Sequence, residues 1–271
     1  MQMTTGALDI SWVELGVTSL FIIAAGIISL WGRLGLGRPL LTGAARCVLQ
    51  LAAMGYVLRF IFDLSSAWIV FSLFAVMVVF AVRIIRGNVS EHAIPFVMPA
   101  FFTMFSVYAL ISCMVTGVII GAEPFWHPQY FIPLAGMVVG NSMTALGLSL
   151  DRLFSDLKTK KDTVEMMLCL GATAKEASRD IFNDALKAGM MPSINSLAGV
   201  GLVFIPGMMT GQILSGEDPM LAIRYQIVVM FMLVASTALT VVIVLGIVRR
   251  RCFGPAQQLI LTPGKSPGKS N

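Results

Sequence analysis

Seven stretches of this chain are apolar over a length that can cross a bilayer, which takes about 20 residues. They run over roughly 10–31, 40–62, 66–86, 94–121, 128–150, 189–214 and 223–248. In hydrocarbon, each backbone N–H and C=O must find its partner within the protein, so isolated apolar runs of this length fold as helices. Several exceed the minimum, which implies tilt, kinks or an interfacial first turn. Only 12% of the 271 residues are charged, against about 25% in soluble domains. No stretch between the apolar runs is long enough for a separate soluble domain. The sequence therefore describes an all-α integral membrane protein with seven transmembrane helices.

Charge placement sets the expected orientation. With the amino terminus outside, 16 of the 19 basic residues fall on inner segments, from Arg33 and Arg38 through the triplet Arg249–Arg251 to Lys265 and Lys269. Arg59 and Arg224 lie outside, and Arg46 lies within a span. This asymmetry matches the excess of Lys and Arg on cytoplasmic loops and places the carboxyl terminus in the cytoplasm. The net charge of +5 then reports orientation and contact with anionic lipid headgroups, not nucleic acid. No Lys or Arg precedes Arg33, so the start lacks the basic region of a cleaved signal peptide, and the first span is expected to be retained. Cys47, Cys113, Cys169 and Cys252 show no metal-binding spacing, and a disulfide framework is not expected.

The one sizeable polar segment, 151–188, separates the fifth and sixth spans and faces the cytoplasm in this topology. Within "DTVEMMLCLGATAKEASRDIFNDALKAG", Gly171 suits a left-handed turn after a short helix. Thr173 and Glu176 have capping-box spacing for the next helix, and Asp162 with Glu165 offer a similar start for the helix before. The reading is helix, sharp turn, helix. The second helix carries Ala174, Ala177, Ile181 and Ala185 on one face. Taken alone, this is an amphipathic pair resting on the membrane; alternatively it is a docking element for a soluble partner. Glu165, Leu168, Leu170, Gly171 and Ala172, with Thr173 as the next cap, resemble the coupling loop of ABC permeases. The tail from 252 to 271 reads as flexible, and its two "GKS" copies lack the spacing of a nucleotide-binding loop.

Longer motifs carry a more specific resemblance. "IPLAGMVVGNSMTALGL", "LSLDRL", "LGATAKEAS", "VGLVFIPGMMTGQILSG" and "DPMLAIRYQIVVMFML" are similar to the FetB family, over about Ala45 to Leu233. Those proteins are permeases of an ABC transporter implicated in iron export, and plant aluminium-tolerance permeases are related to them. The resemblance implies a permease domain over 1–251 in the inner (plasma) membrane. It also implies two copies of a separate ATPase subunit, which would bind ATP and Mg, and a homodimer of the permease. No cofactor is expected in this chain, and it is expected to be a transport subunit, not an enzyme.

The sixth span contains Pro206 and Gly207, which are costly inside a helix. A broken helix in a membrane is tolerated where protein or a water-lined cavity satisfies the freed backbone groups, and such breaks mark binding sites in many transporters. Gly207 and Gly211, like Gly136 and Gly140, also have the GxxxG spacing of close helix packing. Hinge, packing contact and ligation by Met208 and Met209 all remain open. Thioether suits soft metals better than iron, and methionine is common filler. Polar residues within spans add Arg46 and Gln50 on one face, Asn141 beside Ser142, Gln212 and Gln226 as candidate pathway residues. Glu217 and Asp218 form either a cation exit or a solvated turn. His92 and His127 both sit at span ends, which leaves no intramembrane histidine cage.

Other classes fit less of the sequence. A seven-helix receptor shares the topology but leaves the Gly-Ala turn of the polar loop unexplained. An intramembrane serine protease needs a histidine beside its serine. Within transport, the alternative is an exporter of an organic substrate, such as a nucleotide-sugar or a metal chelate, since the spans hold almost no carboxylates.

Overall fold

The computed structural model describes residues 11–32, 35–64, 66–91 and 94–261; Arg33, His92, Lys265, Lys269 and the Pro-Gly-Lys-Ser repeats lie outside them. The described residues are predominantly helical. In order it forms α1 (Trp12–Trp31), α2 (Gly37–Leu64), α3 (Ala67–Asn88), α4 (Val97–Met114), a π-helical turn (Val115–Ile119) and α5 (Pro128–Thr159). Three shorter elements follow, α6 (Lys161–Cys169), α7 (Ala174–Ala177) and α8 (Arg179–Gly199), and then α9 (Gly207–Leu214) and α10 (Pro219–Arg251). Six helices among the described residues, α1 to α5 and α10, are long and apolar enough to cross a membrane.

The sixth apolar stretch, read as a broken span over 189–214, is divided between two helices. α8 begins well before it, at Arg179, and ends at Gly199; α9 starts only at Gly207. The polar loop is also shorter than the sequence suggests, because α5 continues unbroken to Thr159. Leu150, Leu153, Phe154 and Leu157 keep that extension packed on the core.

α5 is the hub, in contact with α3, α4, α8 and α10. Phe74 of α3 meets Phe105 of α4 at 5.2 Å and Phe131 of α5 edge-on at 5.7 Å, the preferred aromatic geometry. Between α5 and α10, the buried hydroxyls of Ser142 and Thr237 are 2.9 Å apart, so Ser142 ties two helices together without interrupting its own. α1 packs chiefly on α2, and both leave most of their apolar surface exposed.

The small-residue face read from the sequence is buried: Ala177, Ile181 and Ala185 point into the core. It continues to Gly189, which the sequence reading missed. A Cβ on Gly189 would lie 1.8 Å from the Ser149 hydroxyl oxygen and 2.6 Å from the Ala145 carbonyl oxygen. The expected GxxxG contacts are not made within the chain: Gly140, Gly207 and Gly211 have no atom near a Cβ position, and Gly136 meets only the Met77 methyl at 3.1 Å. Helix α8 approaches α5 at Gly189 instead.

One end of the bundle is basic and cross-tied. Lys158 pairs with Glu91 at 2.6 Å, the Ser90 hydroxyl donates to Asp151 at 3.1 Å, and Arg249 lies 4.4 Å over the Phe182 ring. The tail expected to be flexible from 252 is folded as far as Leu261. Phe253 and Leu259 form an antiparallel bridge, and Cys252, Leu259 and Leu261 are buried. Apolar residues at 252, 253, 259 and 261 make this segment part of the core. Burial, with Glu91 nearby, pushes the Cys252 thiol up to about 12, so it stays protonated and inert. At the hairpin tip, Gln257 takes φ 61° and its side-chain oxygen accepts a hydrogen bond from Ala174 N at 2.8 Å.

Two outcomes are expected. Gly189→Ala lowers stability by about 1–3 kcal/mol, the usual effect of overpacking, whereas Gly140→Ala is neutral or better because alanine favours a helix; thermal unfolding in detergent checks both. Gln257→Gly relieves the backbone but removes the acceptor, so amide hydrogen exchange at Ala174 rises while exchange in α5 is unchanged.

Candidate functional site

The chain between α8 and α9 unwinds because Gly199, Gly201 and Pro206 all disfavour helix continuation there. Val200 leaves the helix in an extended conformation. Gly201 turns at φ +82°, a left-handed value that suits glycine, and its N–H donates to Phe204 O at 2.9 Å. The carbonyl of Gly199 accepts from Val203 N at 2.8 Å. The break is thus a compact turn over 200–206 that recovers several of its own hydrogen bonds. Pro206 stands at its end, capping α9 with φ −65° and ψ 147°. The turn is made at Gly201, just before Pro206 and Gly207, and Pro206 begins the next helix.

Beside the break lies a cleft of about 410 Å³ between α5, α8, α9 and α10. Its lining includes Asn141, Ser196, Pro206, Met208, Gln226 and Met230. A second cavity of about 270 Å³ adjoins it along α5 and α8, sharing Met137, Asn141 and Ser196 and adding Gly136, Gly140, Thr144 and Ser193. Gly136 and Gly140 thus line the second space and Gly207 the first, whereas Gly211 lines neither. Asn141 stands where the two spaces meet, its amide donating to Met137 O at 3.0 Å. Gln226 is 6% exposed, and among the described residues its side-chain oxygen has no hydrogen-bond partner. A buried acceptor left open is costly, so this atom is poised for a ligand or water in the cleft.

Of the expected pathway residues, the structure brings together Asn141, Met208 and Gln226. Met209 and Gln212 lie on α9 but do not line the cleft, although the Gln212 side-chain oxygen is also shielded and unpartnered. Arg46 and Gln50 are exposed on α2, which packs mainly on α1; their shared face belongs to a different part of the molecule. Asp218 caps α10 by accepting from Leu221 N at 3.2 Å, so the turn reading of that loop describes its geometry. Sequence reasoning missed Ser193 and Ser196, whose spacing of three on α8 puts two hydroxyls one turn apart. The lining of both spaces is neutral: amides, hydroxyls, thioethers and apolar groups. Among the described residues, no cluster of three or more His, Cys, Asp or Glu side chains is placed to hold a metal.

The polar loop forms a second site. α6 ends at Cys169, and Gly171 reverses the chain at φ +93°. Its N–H donates to Leu168 O, and Ala172 N–H donates to Met167 O, both at 3.0 Å. The Thr173–Glu176 capping box is present in full, with Thr173 N donating to the Glu176 carboxylate at 2.9 Å and Glu176 N to the Thr173 hydroxyl at 3.3 Å. Those bonds from Thr173 hold the Glu176 carboxyl below its ordinary range, so the cap persists above that lowered value and is lost only as pH falls through it. The helix it opens, α7, is a single turn; Ser178 breaks it before α8 starts. Asp162 and Glu165 form no matching cap on α6, where Lys160 takes the cap position and Glu165 pairs with Lys161 at 3.4 Å. Glu165, Leu168, Gly171, Ala172 and Thr173 line a groove of about 540 Å³ whose far wall is the hairpin at 256–259. Leu170 stands outside it, 81% exposed.

The family model that matches is described as "Uncharacterised protein family (UPF0014)" and covers residues 12–253. The "Probable iron export permease protein FetB" of Escherichia coli (strain K12) is 33% identical over 92% of this chain and 95% of its own length. The "UPF0014 membrane protein slr1647" of Synechocystis sp. is 32% identical over 94% of this chain and 98% of its own. "Protein ALUMINUM SENSITIVE 3" of Arabidopsis thaliana is 34% identical over 81% and 79%. No solved structure matches. With a family model spanning 12–253 and relatives aligned over most of both chains, this multi-pass membrane protein belongs to the UPF0014 family.

Proposed function

We propose that this chain is the membrane permease subunit of an ATP-driven ABC exporter, moving iron out of the cytoplasm as part of metal homeostasis. In this reading it sits in the inner (plasma) membrane as a homodimer, with the amino terminus outside and the basic end in the cytoplasm. The α8–α9 segment makes the seventh crossing, as a broken sixth span. Two copies of a separate ATPase subunit bind ATP and Mg and dock on the turn around Gly171.

One observation supports this most directly: a single helix joins the two sites. α8 starts next to the capped turn and runs without interruption to Gly199, where Pro192, Ser193 and Ser196 form a wall of the adjoining spaces. It is pressed against α5 at Gly189. A push on the turn therefore shifts the cleft wall as a rigid body, which is what a coupling element has to do. The exposed Leu170 and the adjacent groove offer the partner a contact. Beyond Gly199 the unwound turn absorbs the displacement, so α9 and α10 need not follow. A seven-helix receptor gives no role to this lever, and the similarity to a protein named as a probable iron export permease favours transport.

The neutral lining supports a second reading within the same mechanism, export of an organic molecule or a metal chelate. Bare cations are better served by carboxylates and other hard oxygen donors. The deciding measurement is ATPase activity of the permease–ATPase complex in lipid with ferrous ion, ferric chelates and nucleotide-sugars. Stimulation by iron species supports metal export; stimulation only by an organic compound retains the ABC permease and removes iron.

Two variants test the mechanics. Gly171→Trp, bulky at φ +93°, leaves ATP hydrolysis by the complex but reduces transport to background; normal transport per ATP rules out the docking role. Gly201→Ala carries about 1–2 kcal/mol of left-handed strain and slows transport several-fold, while Pro206→Ala stays within about twofold because Pro206 caps α9 and does not bend a continuous helix.

A further inference from the structure

At the basic end of the bundle, α3 and α4 diverge to leave a groove of about 540 Å³, distinct from the cleft and the coupling turn. Val79, Val82, Arg83 and Arg86 contribute from α3, and Val97, Met98 and Phe101 from α4. At 1.5 Å per residue, Arg86 lies about 10 Å further along α3 than Val79, toward the loop that leads into α4. Val97 is at that same end, and Phe101 is one turn deeper. The groove thus has a cationic mouth and an apolar floor.

Both arginines are exposed and, among the described residues, neither guanidinium is held by an ion pair. The nearby carboxylates are engaged elsewhere: Glu91 with Lys158, Asp156 with Arg152 and Asp151 with Ser90. Guanidinium groups three residues apart share a helix face and present several N–H donors suited to a phosphate. Such a mouth lies at headgroup depth if α3 spans the bilayer, because its apolar run ends there.

We propose that this groove binds one anionic phospholipid, its phosphate between Arg83 and Arg86 and an acyl chain along Val79, Val82, Met98 and Phe101. Charge complementarity selects an anionic headgroup, and the apolar floor requires that the phosphate be carried by a lipid. Arginines retained only to set topology would prefer anionic lipid weakly and at no fixed position. A built groove holds one molecule in one place. This inference depends on membrane insertion and not on the transport reading.

The test uses native mass spectrometry of the purified full chain, released from micelles containing equal phosphatidylglycerol and phosphatidylcholine with identical acyl chains. The expected result is one retained phosphatidylglycerol, favoured over phosphatidylcholine by roughly fivefold per arginine. The Arg83→Gln/Arg86→Gln variant loses that preference, the Arg83→Lys/Arg86→Lys variant keeps part of it, and Lys187→Gln, an exposed charge on α8, keeps all of it. Equal loss in Lys187→Gln overturns the proposal, because it shows only general surface attraction. Displacement by millimolar inorganic phosphate overturns it too, since the acyl chain then contributes nothing. In the wild-type chain, phosphatidylglycerol with a photoreactive acyl group is expected to label the peptide containing Met98 and Phe101. Labelling elsewhere, or crosslinking of that peptide to a second copy of the chain, overturns the proposal even if the arginine variants fail to fold.

Discussion

The close approach of α8 to α5 at Gly189 is the contact on which the rest of the molecule depends. In a membrane, apolar burial distinguishes poorly between a neighbouring helix and lipid, so association relies on fit and hydrogen bonding. A residue without a side chain, set between the Ala145 carbonyl and the Ser149 hydroxyl, lets two backbones meet with no gap. Ala177, Ile181 and Ala185 extend the same seam toward the capped turn. That seam holds α8 along α5 from the capped turn to the edge of the cleft.

Beyond the seam the physics reverses. Gly136, Gly140 and Gly207 are also small, but nothing fills the space beside Gly140 and Gly207. The cleft exists because these positions lack side chains and because α8 stops at Gly199. Its polar groups are neutral and partly unsatisfied, most clearly the Gln226 oxygen.

The polar end around Gly171 is assembled from two distant parts of the chain. The turn at Gly171 sets its direction, the Thr173–Glu176 box fixes its helix start, and the hairpin beyond α10 supplies a wall and one hydrogen bond through Gln257. Core residues Cys252, Phe253, Leu259 and Leu261 anchor that hairpin. The turn around Gly171 is thereby referenced to α10 and the bundle, and does not hang from a free loop.

Local chemistry was legible in the sequence. Runs of apolar residues gave helices because lipid permits little else; Gly171, Thr173 and Glu176 gave a turn and a cap because those geometries need those side chains and that spacing. The motifs around Asn141 and Pro206 pointed to the family and to the place where a helix breaks. What only the tertiary structure decided was which small residues pack and which leave space. Gly189 and Gly140 look alike in sequence, yet one touches a backbone carbonyl and the other faces a cavity. Arg46 and Gln226 were equally plausible pathway residues until α2 was seen beside α1 and Gln226 beside the cleft. The tail's fold was hidden for the same reason: its apolar residues show no regular periodicity, and the hairpin is held by residues far back in the chain, as in the Ala174–Gln257 hydrogen bond. Spacing along one chain fixes a residue's face on its own helix, but the neighbour that face meets is set by how all the helices share one volume.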